Sequence, residues 1–223
     1  MKHIVKAAML AAGTGLLMLF AFDINHPQQF FDSSPRTVHL LITLLLVFAA
    51  MSMKNVLSYQ TTTTINYTPK YDELKTSALS IGVVLLFFLS PMFDRAGLFE
   101  MCNCTWIRWV GCLFLIDAIT FFTWSSWVFS KAFYRADGKP MPHKIVSSGP
   151  YAVIRHPRFL GLIAWVIGTA LVFNNLISVL LAVIIIYIIV LKANDEEIFM
   201  ELEFGDEWNK YKRHTKRFFP FIY

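Results

Sequence analysis

Long apolar runs parted by short polar connectors dominate this chain. Runs of roughly 17 to 25 apolar residues read as membrane-spanning helices, and four occur at about residues 4–22, 37–53, 76–93 and 106–129. A shorter pair follows at about 158–173 and 176–192, separated by Asn174-Asn175. Each arm of about 16 residues makes roughly 24 Å of helix, short of the roughly 30 Å hydrocarbon core. The pair is therefore expected to be a hairpin whose tip need not cross fully. The segment after it, 196–217, begins acidic, ends basic and carries Phe204, Trp208 and Tyr211, with Phe218 and Phe219 directly after it. That mixture suits a helix at the membrane surface, either lying on it or covering a pocket. The expected fold is all-α: a polytopic integral membrane bundle of four spans, a C-terminal helical hairpin and an interfacial C-terminal helix. Residues 1–129 read as the anchor and 130–223 as the part with distinctive chemistry.

Composition sharpens this picture. Apolar residues make up 56% of the 223 and charged ones only 16%, well towards lipid from a soluble domain's balance. Lys2 and Lys6 before the first run would also suit a secretory leader, but the run is long and no Ala-x-Ala precedes Asp23, so a retained anchor is expected. Four spans and a returning hairpin place 17 of the 20 Lys and Arg on one face, leaving Arg36, Arg95 and Arg108 opposite. By the positive-inside rule that face is cytoplasmic, with both termini on it. The net charge of +5 thus reports topology, and no basic patch on a soluble domain offers itself to nucleic acid. Cys102, Cys104 and Cys112 lack further ligands nearby and read as buried thiols, with no metal site expected. Asp117, mid-span, is expected to face the bundle, bonding Thr120, Ser125 or another span, or else touching substrate.

The chemistry concentrates after residue 142. Gly149-Pro150 marks a turn. Pro157 suits the first turn of a helix and pushes His156 towards extended geometry. Arg155 and His156 then sit at a helix N-terminus, where cations oppose the dipole unless an anion or carboxylate joins them. Folding the hairpin about Asn174/Asn175 brings Arg155 and His156 level with about 192–196, beside Glu196 and Glu197. An ordinary charged collar at two helix ends would look the same.

The ordered pattern His143, Ile145-Val146, Gly149-Pro150-Tyr151, Arg155-His156-Pro157-Arg158-Phe159-Leu160-Gly161, Glu196-Glu197, Met200, Phe204-Gly205, Trp208, Tyr211, Arg217 and Pro220 resembles the isoprenylcysteine carboxyl methyltransferase family, within the membrane methyltransferases that include phospholipid N-methyltransferases. The resemblance covers roughly the last 80 residues. It implies S-adenosyl-L-methionine as cofactor, in a pocket lined by His143, Lys144, Ile145, Val146, Tyr151, His156, Pro157, Arg158 and Phe159. Arg155 and Glu197, brought to the same place by the hairpin, complete the expected cofactor site. Lys192 and Glu196 fall where the family contacts its lipid substrate, share a helix face and are the expected catalytic pair. Lys192 stands for the family's Arg, losing a bidentate grip on carboxylate, and Phe159 for its Tyr.

The expected function is methyl transfer to a lipophilic acceptor drawn from the bilayer. Carboxyl O-methylation of isoprenylcysteine is the nearest precedent, and a phospholipid or other lipid amine is the alternative. From other classes, a sterol-type reductase using NADPH has a related Arg-His hairpin by resemblance, and a catalytically silent scaffold is the third option.

Overall fold

The computed structural model describes residues 2–23, 25–52, 72–102, 104–133 and 144–219, and these form an all-α bundle. In chain order the helices are α1 (Lys2–Phe22), α2 (Ser34–Ser52), α3 (Asp72–Ala96), α4 (Thr105–Phe133), α5 (Pro157–Phe173), α6 (Leu176–Phe204) and α7 (Asp206–His214). Short 3-10 turns at Pro27–Asp32 and Gly149–Ala152 join some of them. Isolated bridges pair Glu100 with Asn175 and Ile154 with Lys216.

Helices α2, α3, α4 and α6 are long and apolar enough to cross a membrane, while Lys6–Phe22 of α1 and Pro157–Phe173, which is α5, are shorter apolar stretches. The second hairpin arm departs from expectation. It does not stop near Lys192 but runs 29 residues to Phe204, about 43 Å, because the charged turn Asp195-Glu196-Glu197 keeps helical spacing and is neutralised by neighbours. Gly205 ends the helix at φ +49°, a region that favours glycine, and α7 follows at once.

Small residues let α4 and α5 cross closely. A Cβ on Gly111 would lie 2.8 Å from the Gly168 carbonyl, and one on Gly168 would lie 2.8 Å from the Gly111 carbonyl. One turn-pair along, a Cβ on Gly161 would come within 3.2 Å of the Ala118 carbonyl. Backbones in lipid gain packing by this kind of approach. Leu115, Val166, Val172, Ile185 and Ile189 fill the core around the crossing.

The hairpin tip is a locked polar corner. Asn174 turns the chain in the left-handed region at φ 50° and gives its side-chain amide to the Cys102 carbonyl. The Asn175 side chain accepts from the Ser178 N–H at 2.9 Å and donates to the Ser90 carbonyl at 3.1 Å. At this same end Asp94 takes Arg36 and Arg108, each at 2.7 Å, and Arg108 also reaches the Val172 carbonyl. Arg95 holds Asp23 at 3.0 Å. The three arginines expected apart from the other cations thus gather at the tip.

Two expectations fail here. Asp117 is exposed on α4, on the stripe of Leu113 and Ile116, instead of facing the bundle. The inward stripe is taken by Cys112, Leu115 and Ala118, while Thr120 and Ser125 bond carbonyls of their own helix. Cys112 is buried, but Cys102 and Cys104 are half-buried in the loop that clasps the tip. The polar connector between the second and third apolar runs, residues 55–74, lies mostly outside the described residues.

Candidate active site

Opposite the tip, the base of the hairpin gathers charge. Pro157 opens α5, and His156 holds the N-cap position at φ −120° and ψ 58°, short of the extended geometry expected before proline. The backbone just before is strapped to the chain beyond α7. Arg155 N–H donates to the Lys216 carbonyl at 2.7 Å, His156 N–H to that of Arg217 at 3.1 Å, and Lys216 N–H to that of Val153 at 2.9 Å.

Glu197 is the hub. It is 4% exposed, and its Oε1 accepts from Arg155 Nε at 2.8 Å and Arg217 Nε at 3.1 Å, while Oε2 accepts from Arg217 Nη2 at 2.7 Å. Arg155 Nη1 goes on to the Thr215 carbonyl at 2.6 Å, and Arg217 Nη1 to Asn194 at 2.6 Å. The His156 ring lies between two acids, Nδ1 3.4 Å from Glu196 and Nε2 3.4 Å from Glu197. Phe159 stacks on the ring at 5.6 Å, and Phe218 tilts against it at 6.0 Å. Burial alone would lower the His156 pKa, but the two carboxylates outweigh it and hold the imidazole above its ordinary value.

A cavity of about 1150 Å³ opens from this cluster. Its polar end presents Lys144, Arg155, His156, Arg158, Lys192 and Glu196, with Ile145, Val146, Tyr151, Pro157 and Phe159 between them. Outward, Phe199, Met200, Phe204, Trp208 and Tyr211 form an aromatic and thioether wall. Inward it runs among apolar residues of α1, α2 and α3, including Leu17, Leu46, Val47, Val83 and Phe87. Burial pushes the Tyr151 phenol up to about 12, and Tyr211 fixes the Tyr151 turn by donating to its carbonyl at 2.7 Å. At the rim, Lys75 meets Asp195 at 2.5 Å and Lys192 donates to the Thr76 hydroxyl at 2.7 Å, stapling α3 to α6.

Of the sequence-derived candidates, Lys144, Ile145, Val146, Tyr151, Arg155, His156, Pro157, Arg158, Phe159, Lys192 and Glu196 thus share one cavity wall. Glu197 stands behind that wall, bound to the residues that form it. His143 lies outside the described residues.

The comparisons with known proteins bear on this same part of the chain. Residues 106–207 match the family described as phospholipid methyltransferase. Over 81 residues the chain is 30% identical to a protein-S-isoprenylcysteine O-methyltransferase of Schizosaccharomyces pombe and 35% identical to that of Homo sapiens. In its C-terminal part the chain resembles membrane methyltransferases. The shared segment is 36% of this chain, 34% of the yeast protein and 28% of the human one, so the match spans about a third of these relatives. A probable isoprenylcysteine methyltransferase of Oryza sativa subsp. japonica matches at 30% identity over 42% of its length.

Sequence reasoning missed the inner half of the cavity. Thr14, Thr43, Val83 and Phe87 line it, yet an apolar helix face towards a cavity reads like one towards lipid. It also missed Lys75 and Thr76, whose partners are more than a hundred positions away. Arg217 was legible as part of the motif, but its two bonds to Glu197 were not.

Proposed function

We propose that this protein is an integral membrane methyltransferase using S-adenosylmethionine, and that its acceptor is a carboxylate on a lipophilic molecule, most like isoprenylcysteine. The observation that carries this reading is one cavity with a cationic, aromatic mouth and an apolar interior within a membrane-type bundle. Its volume exceeds the roughly 300–1,000 Å³ of a single-ligand pocket, leaving room for two molecules side by side.

The residues present suit the cofactor. Trp208 Nε1 is a buried donor on the cavity wall without a hydrogen-bond partner among the described residues, and such a group calls for an acceptor. Arg155, Arg158 and His156 would hold an amino-acid carboxylate; Tyr151, Phe159 and the aromatic wall would face the adenine and the sulfonium. When bound, the cofactor supplies an electrophilic methyl group. Lys192, aimed by Thr76, would orient the acceptor carboxylate, and Glu197 would act as a positioning residue for Arg155, Arg217 and His156. Rate enhancement would come from alignment and from removing water around the nucleophile.

The phospholipid methyltransferase match favours a second reading, a lipid-amine acceptor. That chemistry needs a base, and the two acids hold the His156 pKa above its ordinary value, which makes the neutral imidazole scarcer and favours the carboxylate. We place the mouth, and with it both termini, on the cytoplasmic side from the charge distribution. The test is incorporation of radiolabelled methyl groups from the cofactor into N-acetyl-S-farnesylcysteine and phosphatidylethanolamine, with purified protein in vesicles. Base-labile label on the prenylcysteine, at a rate flat above about pH 5, is expected. Label only on the phospholipid, rising through neutrality, would favour the amine. Labelled nicotinamide bound in place of S-adenosylhomocysteine would overturn the proposal.

A further inference from the structure

One acid stands at the depth where a bilayer tolerates it least. The outer face of α4 carries two exposed tryptophan pairs, Trp106 with Trp109 towards the tip and Trp124 with Trp127 towards the base. Each pair sits at a charged rim. Arg108, between the first two, binds Asp94 at 2.7 Å, and the Lys131 ammonium lies 3.8 Å over the Trp127 ring. Tryptophans gather at the two surfaces of a membrane. The pairs are eighteen residues apart, about 27 Å of helix, which matches a hydrocarbon core of roughly 30 Å. Asp117 follows Trp109 by eight residues and precedes Trp124 by seven, so it falls within about 1 Å of the middle of that layer. It is exposed there, and among the described residues it makes no hydrogen bond or ion pair. Thr120, three residues on and also exposed, shares its face. The Thr120 hydroxyl spends its proton on the Ile116 carbonyl at 2.8 Å, so outward its oxygen can only accept. The pair is a set of acceptors without a donor. Ionisable groups inside a span are costly against lipid and are almost always paired.

We propose that this face of α4 docks a membrane-spanning helix of another protein, one that carries a lysine or arginine at mid-bilayer depth. Charge complementarity selects the occupant. A carboxylate and a proton-spent hydroxyl accept only, so the partner must donate, and Lys and Arg side chains donate without accepting. A second copy of this chain fits poorly. A two-fold axis along the membrane normal would bring Asp117 to the level of its own twin, acid against acid. Among the described residues the chain has no exposed cation to offer at that depth, because Arg36, Arg95 and Arg108 stand at the tip and the other Lys and Arg at the base. Phe122 and Phe129 line the cavity from the far side of α4, so a docked helix leaves the cavity mouth clear. The inference needs only the membrane bundle and does not depend on methyl transfer.

The test uses the full-length protein in phosphatidylcholine vesicles with dansyl-labelled spanning peptides of leucine and alanine, carrying lysine, leucine or glutamate at the centre. Energy transfer from the exposed tryptophans reads docking. The lysine peptide is expected to saturate the signal at a membrane density about tenfold or more below that of the leucine peptide, and the glutamate peptide should do no better than leucine. Asp117→Leu should bring the lysine peptide to the leucine level. Asp117→Asn, which keeps the size and loses the charge, should remove most of the preference, and Thr120→Val part of it. Without peptide, both Asp117 variants should unfold cooperatively at or above the wild-type midpoint, since the acid has no partner in the bundle. A lowered midpoint would show that the acid serves the fold and would overturn the proposal. Equal transfer for the lysine and leucine peptides, or a lysine preference that survives Asp117→Leu, does the same. Transfer between differently labelled copies of the protein, abolished by Asp117→Leu, would instead assign the face to self-association and overturn the cationic partner.

Discussion

Replacing Glu197 by Gln keeps the shape of the side chain and removes its charge. In the folded protein that carboxylate is 4% exposed and accepts from Arg155 at 2.8 Å and from Arg217 at 2.7 and 3.1 Å, with the His156 ring 3.4 Å away. Two guanidiniums and an imidazole then lose their common counter-charge, and the amide offers one acceptor oxygen where there were two. Breaking a buried pair in this way costs about 3–5 kcal/mol. At about 2–4 °C per kcal/mol for a chain of this size, the unfolding midpoint should fall by roughly 6–20 °C. Glu196→Gln is the internal control: its side chain is 52% exposed and lies 3.4 Å from His156, so it should cost under about 1 kcal/mol. Scanning fluorimetry of intrinsic tryptophan emission in detergent reads both. S-adenosylhomocysteine titration should show affinity lost with Glu197→Gln even below its lowered midpoint, because Arg155 and His156 are no longer held. If Glu197→Gln melts within 2 °C of Glu196→Gln, the account of this acid as the organising charge is wrong.

Other predictions follow from separate parts of the molecule. The folded His156 pKa is raised, so its ion pairs contribute fully below the ordinary value near 6.5 and are lost as pH rises through the raised one. The midpoint difference between wild type and His156→Gln should therefore be largest near pH 5 and shrink in alkali; a difference that grows with pH refutes the assignment. Gly168→Ala would place a Cβ 2.8 Å from the Gly111 carbonyl and should sharply lower the yield of folded protein, whereas Gly13→Ala meets nothing within 4 Å and should be tolerated. Size-exclusion profiles of the two variants compare them. Lys192→Gln should raise KM for a carboxylate acceptor about tenfold while S-adenosylhomocysteine affinity, read by calorimetry, stays within twofold.

What the sequence discloses depends on the range of the interaction. Asn174-Asn175 announced a turn because paired amides interrupt an apolar run, and counting outward from it places Arg155 against the acids; helix rise alone does that work. The same counting placed the second arm's end at Lys192, where charge begins. Charge ends a span but not a helix, and α6 continues twelve residues because Arg155, Arg217 and Lys75 neutralise its acids. Asp117 was expected inward on the cost of a carboxylate in lipid. The inward stripe of α4 was already committed to small residues at the α5 crossing, a constraint carried by Gly111, Gly161 and Gly168 on two helices together. The His39–Thr169 and Trp165–Thr43 pairs join positions more than a hundred residues apart, and no local pattern announces such partners.

The strap between residues 153–156 and 215–217 has a consequence for biogenesis. Arg155 leaves the ribosome about sixty residues ahead of the Thr215 carbonyl that seats it. During that interval both hairpin arms must enter the bilayer with Arg155, His156 and Glu197 awaiting their last partner, Arg217. Nascent chains stalled before residue 215 should therefore carry an inserted bundle and an unassembled mouth, and remain targets for quality-control proteases until the strap docks.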